Sequence, residues 1–426
     1  MYLLPTIVRN RLERLRNLLD PARAADRLRP RPDDPPPCLR LERRASTAQL
    51  DRVWGRLLAA RPEAAAARSV LADAGARGDA ELYSRNIENY AGTIKVPFGI
   101  AGPLRVNGLH AHGDYFVPLA TTEAALVASY ARGAQVATRA GGISAAMLAD
   151  GVLRSPAFLF ADLLEAGLFV DWISRNEAPL RDAAERTTRH GKLISLEPHI
   201  DGEIVFLLCR YTTGDASGQN MVTIATDALA RHIADACPIK PRRWFIEGNF
   251  SGDKKASFLG MLTGRGRKVT ASIMLPRRLV ERYLRTTPAD MLEYARIADL
   301  GARLTGQIGA QGHYANGLAA FYIATGQDAA CVAESAVGST RMEDRNGDLF
   351  MSVTMPNILV GSVGGGTGLP SQRSALALLG LDGPNNAAAL AEVTAALCLC
   401  GEISIMAAIA GGHFTQAHDK LARGPT

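Results

Sequence analysis

The chain has only six cysteines in 426 residues, Cys38, Cys209, Cys237, Cys331, Cys398 and Cys400, and no two are spaced as Cys-x-x-Cys. That scarcity argues against a metal site and against a dithiol redox centre. Most of the cysteines sit in apolar runs such as Ala-Leu-Cys-Leu-Cys, as reduced, buried thiols do in a reducing compartment. Neither Gly-x-Gly-x-x-Gly nor the P-loop pattern occurs, which excludes the two commonest nucleotide-binding fingerprints. The longest uncharged run, residues 349–372, is broken by Pro356 and by three glycines at 364–366, so no membrane-spanning helix is expected. At the start, arginines follow a short apolar piece instead of preceding a long one, unlike a secretory signal.

What is present is a globular balance, 47% apolar and 21% charged residues, in a chain long enough for two or three domains. The net charge of +6 is local: residues 1–70 carry fifteen arginines against eight acids, a surplus of seven that leaves the remainder at −1. No Cys/His finger or aromatic-basic motif accompanies that head, so it reads as a solvated amphipathic helix and not as a nucleic-acid site.

A basic helix over 1–31 leads into a proline-rich linker, with a second helix expected over 48–74. Residues 156–247 carry their own pattern. A strand near 158–160 precedes a helical stretch to about 186, and strands at 192–197 and 203–211 flank Asp201-Gly202, a type I′ hairpin signal. A helix over 219–236 and a strand at 244–247 complete the order β-α-β-β-α-β, a ferredoxin-like split. It is inserted into a larger, mainly helical unit with helices at 278–305, 315–325, 386–410 and 412–421. The fold class is therefore α+β.

Two glycine-bearing loops could admit phosphates to backbone amides: Asp215-Ala-Ser-Gly-Gln-Asn220, between a strand and a helix, and Gly364-Gly365-Gly366. Glu123 opens a helix, where an acid is a routine N-terminal residue. Asp253-Lys254-Lys255 follows Gly248-Asn249-Phe250 and alone would be a surface turn. Asp328 ends an apolar helix, facing the wrong end of the dipole, a local misfit that favours function. His418 alone would be a solvated histidine near the end of the chain.

Taken in order, these segments resemble the 3-hydroxy-3-methylglutaryl-CoA reductase family, over about residues 88–418. The likeness rests on Glu88-Asn89-Tyr-Ala-Gly92, Val96-Pro-Phe-Gly-Ile-Ala-Gly-Pro-Leu104, Ala120-Thr-Thr-Glu-Ala-Ala-Leu-Val-Ala-Ser129 and Asp215-Ala-Ser-Gly-Gln-Asn-Met221. It continues through Gly248-Asn-Phe-Ser-Gly-Asp-Lys-Lys255, Gly326-Gln-Asp328, Thr354-Met-Pro356, Gly361-Ser-Val-Gly-Gly-Gly-Thr367 and Gly412-His413 to His418. Asp-Lys-Lys lies far upstream of Gly-Gln-Asp, which is similar to the first, NADPH-using class; in the second class the lysine falls shortly before the aspartate.

The resemblance implies an NADPH-dependent reduction of an acyl-CoA thioester in two hydride steps, through a hemithioacetal and an aldehyde, to mevalonate and CoA. It implies Lys254 as the cation at the developing oxyanion, Glu123 as the proton donor, Asp328 as the acid linked to both, and His418 as the group that protonates the departing thiolate. Cofactor contacts carry over to Thr188, Arg189, Asp215, Ser217, Gly218, Gln219, Asn220, Met221 and Gly364 to Gly366, with Arg189 on the 2′-phosphate. Substrate and dimer-contact positions carry over to Glu88, Asn89, Arg132, His313 and Asn316, and the acyl portion to Arg154, Asp253 and Lys255. Four departures stand out: Glu247 replaces a family serine, Arg296 a family lysine, Thr188-Arg189-His190 replaces Ser-Arg-Phe, and the tail after His418 is short. Arg296 is expected to pair with Glu247.

The implied organisation is a basic N-terminal region and linker (1–70), a large catalytic domain (71–155 and 248–410), an inserted NADPH domain (156–247) and a C-terminal flap (411–426). A cytoplasmic homodimer or higher homo-oligomer follows, with an acyl-CoA as small-molecule partner and neither nucleic acid nor membrane. The rivals are a paralogue reducing another acyl-CoA and a catalytically silent CoA- or nucleotide-binding protein.

Overall fold

The structure, a computed structural model, describes residues 29–30 and 41–415. Most of the expected helix over 1–31, most of the linker, residues 416–421 of the expected last helix and His418 lie outside the described residues. The chain divides into two compact units, residues 1–94 and 95–426.

In the first unit, helix α1 (Thr47–Ala60) starts at Ser46, whose side chain accepts the Gln49 N–H. The single helix expected over 48–74 is broken: Pro62 has no N–H to continue α1, and a short turn precedes α2 (Ala65–Leu71). Leu50, Trp54, Ala72, Ala80 and Tyr90 form a small core. Trp54 Nε1 donates to Ala91 O at 2.9 Å and the Tyr90 hydroxyl to Ala76 O at 2.8 Å. The Glu88–Gly92 motif is thus fastened to this core.

The second unit corrects the expectation of a mainly helical large domain. It is built on a sheet of order β9-β10-β11-β8-β3-β1-β2. The strands are β1 (Phe98–Gly108), β2 (His112–Ala120), β3 (Ile143–Arg154), β8 (Gly266–Leu275), β9 (Gly309–Ala310), β10 (Gly338–Arg345) and β11 (Asp348–Ile358). The alternation was there to read: Val269, Ala271, Ile273 and Leu275 are buried, as are Leu349, Met351, Val353 and Met355. Helix α3 (Leu126–Arg139) and the 24-residue α10 (Ala387–Ala410) pack on this sheet. Helix α10 is apolar all round, the mark of a helix enclosed by protein.

By length and composition α10 could cross a bilayer, contrary to the expectation of no such helix, and most of it is buried within the unit. The helix itself falls where it is expected, at 386–410, but Glu392 and Glu402 divide its uncharged run.

β3 is long enough to serve two sheets. Its last residues, Val152 to Arg154, pair with β6 (Ile204–Thr212) of a smaller antiparallel sheet of order β7-β4-β6-β5. There β4 is Ala157–Leu159, β5 Lys192–Asp201 and β7 Arg243–Phe245, with helices α4 (Leu163–Arg175), α5 (Glu177–Glu185) and α6 (Gln219–Ala236) between. The hairpin loop is Gly202-Glu203, not Asp201-Gly202. Asp201 pairs with Ile204 and only Gly202 takes positive φ, the II′ pattern. Helices α7 (Pro288–Thr305), α8 (Tyr314–Thr325) and α9 (Pro370–Leu379) complete the unit.

α3 crosses α10 at glycine: a Cβ on Gly133 would lie inside the Cys400 carbonyl, and one on Gly401 would meet the Tyr130 ring at 2.6 Å. Alanine in a helix interior is ordinarily worth about 1 kcal/mol over glycine. Here the backbone of a buried helix would have to move, so Gly133→Ala is expected to destabilise by about 1–3 kcal/mol. Chemical denaturation of the variant against the wild type measures the sign.

Candidate active site

Three motif loops of the second unit are joined by their own backbones. The loop after β6 runs from Thr213 to Gly218 and feeds α6. Asp215 O accepts the N–H groups of Ser362 and Val363, and Gly361 must be glycine because a Cβ there would stand 2.5 Å from Ser217 N. Gln327 reaches the same glycine with both ends of its amide: Nε2 donates to Gly361 O at 3.0 Å and Oε1 accepts Gly361 N–H at 2.8 Å. The Gly326 backbone lies directly against Gly366 O. Beneath them the buried Arg267 donates to Val360 O and Gly214 O. Residues 213–218, 326–328 and 361–367 are therefore one assembly.

The Asp215 carboxylate is committed to α10, accepting the N–H groups of Asn385 at 2.8 Å and Ala387 at 3.3 Å at the start of that helix. Thr188 Oγ1 donates to Met221 Sδ at 3.0 Å and accepts the His190 and Gly191 N–H groups. The exposed Arg189 thus sits on a tight turn held against α6. Ser217 is half-buried and Asn220 exposed. Gly364 and Gly365 take positive φ, 77° and 56°, and a side chain at either would meet open space.

Against this assembly stands Lys254, whose Nζ lies 2.8 Å from Asp328 Oδ2. Asp328 is not stranded at the wrong end of a dipole. Gly326 closes α8 in the left-handed conformation, and Asp328 then caps the next turn, accepting Ala330 N–H at 3.0 Å. Burial pushes the Asp328 carboxyl up, but the Lys254 hydrogen bond, the Ala330 N–H and the ammonium charge together hold it below its ordinary value. The Lys254 ammonium is held above its ordinary value, chiefly by the hydrogen bond to Asp328, against desolvation.

Glu123 precedes α3 on a loop and does not open the helix, which begins at Leu126. Asn316 Nδ2 grips both its carboxylate oxygens, at 3.0 and 2.8 Å. Asn316 lies in the first turn of α8 and Asp328 just past its last, so roughly 14 Å of helix axis separates the two ends. Among the described residues, no hydrogen bond or ion pair joins Glu123 to Lys254 or Asp328. One chain holds these groups at opposite ends of α8.

The expected Glu247–Arg296 pair does not form. Arg296 is exposed on α7, and Glu247 Oε2 instead receives Arg154 Nη1 at 3.2 Å and Ser251 Oγ at 2.9 Å. Arg154 Nη1 also reaches Asp253 Oδ2 at 3.1 Å. Lys255 Nζ donates to Asp253 O at 2.9 Å. Arg132 is turned inward, donating from Nη2 to Ser404 O at 2.6 Å and tying α3 to α10. His313 stacks on Tyr130 with ring centroids 5.1 Å apart, and its backbone N–H donates to Glu402. In the first unit, Asn89 exchanges hydrogen bonds with Glu42, accepting Glu42 N–H on Oδ1 at 2.7 Å, while Glu88 is exposed. The sequence reading missed Arg265, Arg267, Glu334 and Ser251, all buried around Lys254 or the glycine loops. The signal available was charge inside apolar runs, Arg-Gly-Arg opening β8 and a lone glutamate after Cys331.

Chemically, the arrangement is a site for carbonyl reduction: a cation held by a carboxylate, beside loops whose exposed backbone suits a dinucleotide. Residues 58–423 match the family described as hydroxymethylglutaryl-coenzyme A reductase. The chain is 43% identical over 350 residues to 3-hydroxy-3-methylglutaryl-coenzyme A reductase of Aeropyrum pernix, spanning 81% of this chain and 83% of that one. It is 42% identical over 342 residues to the enzyme of Methanothermobacter thermautotrophicus, spanning 80% and 86%. The structure of the class II reductase of Streptococcus pneumoniae bound to NADPH shares the fold at a TM-score of 0.63 and 20% identity, covering 85% of this chain and 96% of that one. The chain belongs to the hydroxymethylglutaryl-coenzyme A reductase family.

The Lys254–Asp328 pair has two pH limits. Lys254, raised above 10.5, contributes stability that is full below that value and lost as pH rises through the folded pKa. Asp328, lowered below 3.8, contributes stability present above that value and lost as pH falls through the folded one. Asp328→Asn is expected to move the Lys254 titration down, as followed by NMR of the labelled lysine. An unmoved titration would mean that the pair is not formed in solution.

Proposed function

We propose that the protein reduces 3-hydroxy-3-methylglutaryl-CoA to mevalonate and CoA, consuming two NADPH. The observation that carries this reading is the Lys254–Asp328 pair, 2.8 Å apart, joined through Gln327 to the glycine-rich loop at Gly361. A thioester carbonyl taking up hydride becomes an oxyanion, and Lys254 is the cation placed to meet it. Asp328 keeps that ammonium charged and in place. Glu123 is the proton donor to the oxygen, oriented by Asn316. His418, outside the described residues, is read as the proton donor to the departing thiolate.

When bound, NADPH supplies the hydrides. Residues 364–366, 217–221 and Thr188 would hold it, and Arg189 favours the 2′-phosphate form. Residues 156–247 are read as the NADPH-binding domain, ferredoxin-like on the strand order β7-β4-β6-β5. Residues 71–155 and 248–410 are read as the catalytic, CoA-binding part, and 1–70 as an N-terminal region. The class I assignment is supported by sequence order, Lys254 lying 74 positions ahead of Asp328 (328 − 254).

A homodimer is supported by the half-sites at opposite ends of α8, since a second copy can bring its Glu123 end to this Lys254 end. The free, buried cysteines at 209, 237, 331, 398 and 400 support a reducing, cytoplasmic setting. Pairing of Glu247 with Arg154 favours 3-hydroxy-3-methylglutaryl-CoA over an acyl group without a terminal carboxylate.

Loss of NADPH absorbance with 3-hydroxy-3-methylglutaryl-CoA, abolished by Lys254→Ala, is the expected result. Oxidation only with carboxylate-free thioesters would move the substrate, and none with any thioester would leave a silent binder. Mixing and co-refolding inactive Glu123→Gln and Lys254→Ala chains should restore roughly a quarter of full activity, because each mixed dimer holds one intact site of two. No recovery would place both groups in one chain's site.

A further inference from the structure

Lys254 adopts a left-handed backbone, φ 56°, that a non-glycine residue takes only when its surroundings compel it. Two contacts bracket it. The side chain goes to Asp328, and the backbone N–H donates to Glu334 Oε1 at 3.2 Å. Glu334 is buried, and Arg265, itself 1% exposed, places Nη1 2.7 Å from each of its carboxylate oxygens. Arg265 Nη2 donates to Gln219 Oε1 at 2.7 Å, on the first residue of α6. It also lies 2.9 Å from Asp253 Oδ1, close enough for an ion pair but not aligned for a hydrogen bond.

The pair is braced from behind. Asn357 Oδ1 accepts Arg265 N–H at 2.8 Å while its Nδ2 donates to Glu334 O at 3.1 Å. Ser335 Oγ donates to Asn357 O, and the Tyr322 hydroxyl donates to Ser335 Oγ. Every member of this chain is buried. Neither Arg265 nor Glu334 reaches the surface on which a thioester would lie.

We propose that the buried Arg265–Glu334 pair is a positioning device that sets the Lys254 backbone and fixes it relative to the first turn of α6. A buried ion pair is weak evidence for stability, since apolar replacements of both partners are often tolerated. What replacement cannot reproduce here is the acceptor for Lys254 N–H and the link to Gln219. The role rests on the reductase reading above, in which Lys254 meets the oxyanion.

The test uses two charge-balanced double variants of the full chain. Arg265→Met with Glu334→Met removes both charges and the acceptor; Arg265→Met with Glu334→Gln removes both charges but keeps a carbonyl in reach of Lys254 N–H. The first is expected to fold and to lose roughly 10- to 100-fold in kcat, the scale of a small misplacement at a reacting group. Its KM values for NADPH and 3-hydroxy-3-methylglutaryl-CoA should stay within about threefold. The Gln variant should recover at least about fivefold of that kcat.

Hydrogen exchange over residues 249–255 supplies a readout independent of turnover. It should be at least about tenfold faster in the Met/Met variant than in the Met/Gln variant. An unchanged kcat, an equal loss in both variants, equal exchange, or a failure of both to fold would overturn the proposal. If the wild type reduces no thioester, the reductase reading fails, and the exchange comparison still decides whether the pair sets this loop.

Discussion

Two carboxylates buried in an apolar helix hold the second unit together. Glu392 and Glu402 lie on α10, each fully out of solvent. Glu392 accepts the N–H groups of His110 and Ala111, at 2.9 and 2.8 Å, and of Met147 at 3.1 Å. Glu402 accepts those of Gly312 and His313, at 2.8 and 2.9 Å, and the Thr340 hydroxyl at 2.8 Å. An isolated buried carboxylate is costly, but hydrogen bonds to a charged group return about 1.5–3 kcal/mol each. The balance holds only while these loops stay in place, so the helix dictates where they sit. Asp215 does the same at the helix N-terminus. The segment that Glu402 fixes leads directly into Asn316, and hence to Glu123, while Asp215 anchors the loop that feeds α6. The Asn316–Glu123 contact and the loop before α6 both take their positions from one helix.

Much of this was legible in the sequence, for reasons that differ by segment. The smaller sheet could be read because β6 alternates, with Val205, Leu207, Cys209 and Tyr211 buried, and its hairpin turn carries Gly202; α6 falls on its expected bounds, Gln219–Ala236. The larger sheet was missed although β8 and β11 alternate as cleanly, because long Ala-rich helical segments on either side set the expectation for the whole region. Lys254 and Asp328 were found through ordered motifs, and geometry brings them together. Their supports were not found, since Arg265 and Glu334 are distant in sequence and nothing local in either marks it as half of a buried pair. A carboxylate recognised as a C-terminal misfit proved instead to be the cap of the next turn. Local dipole reasoning had stopped one turn too early.

Glu247 shows how a departure from a family pattern is absorbed by near neighbours. The expected partner was on α7, but Arg154 stands at the end of β3, beside the strand pairing that joins the two sheets. Its Nη1 lies between Glu247 and Asp253, and Arg265 stands on the other side of Asp253 at 2.9 Å, so both acids have a cation beside them in a little-exposed place. Ser251 supplies a further donor to Glu247. Still, Glu247 Oε1 and Arg154 Nε are buried without a hydrogen-bond partner among the described residues, and such atoms ask for a polar occupant or water. Arg154 thus meets a second carboxylate that a serine at 247 would not supply.

The separation along α8 has a consequence for how such a site can work. A helix of 12 residues is a rigid spacer: Asn316 and Asp328 cannot approach one another without breaking it, and its core-facing residues Leu318, Phe321 and Tyr322 are fully buried. The helix therefore keeps the Glu123 end and the Lys254 end of one chain apart. On the dimer reading proposed above, association of two copies would bring these ends together, and the chemistry would depend on that pairing. On the reductase reading, rigidity suits two hydride steps, because Lys254 as the oxyanion cation would keep one position while the acyl group changes from thioester to aldehyde. The left-handed backbone at Lys254 is held from two sides, by Asp328 on its side chain and by Glu334 on its N–H.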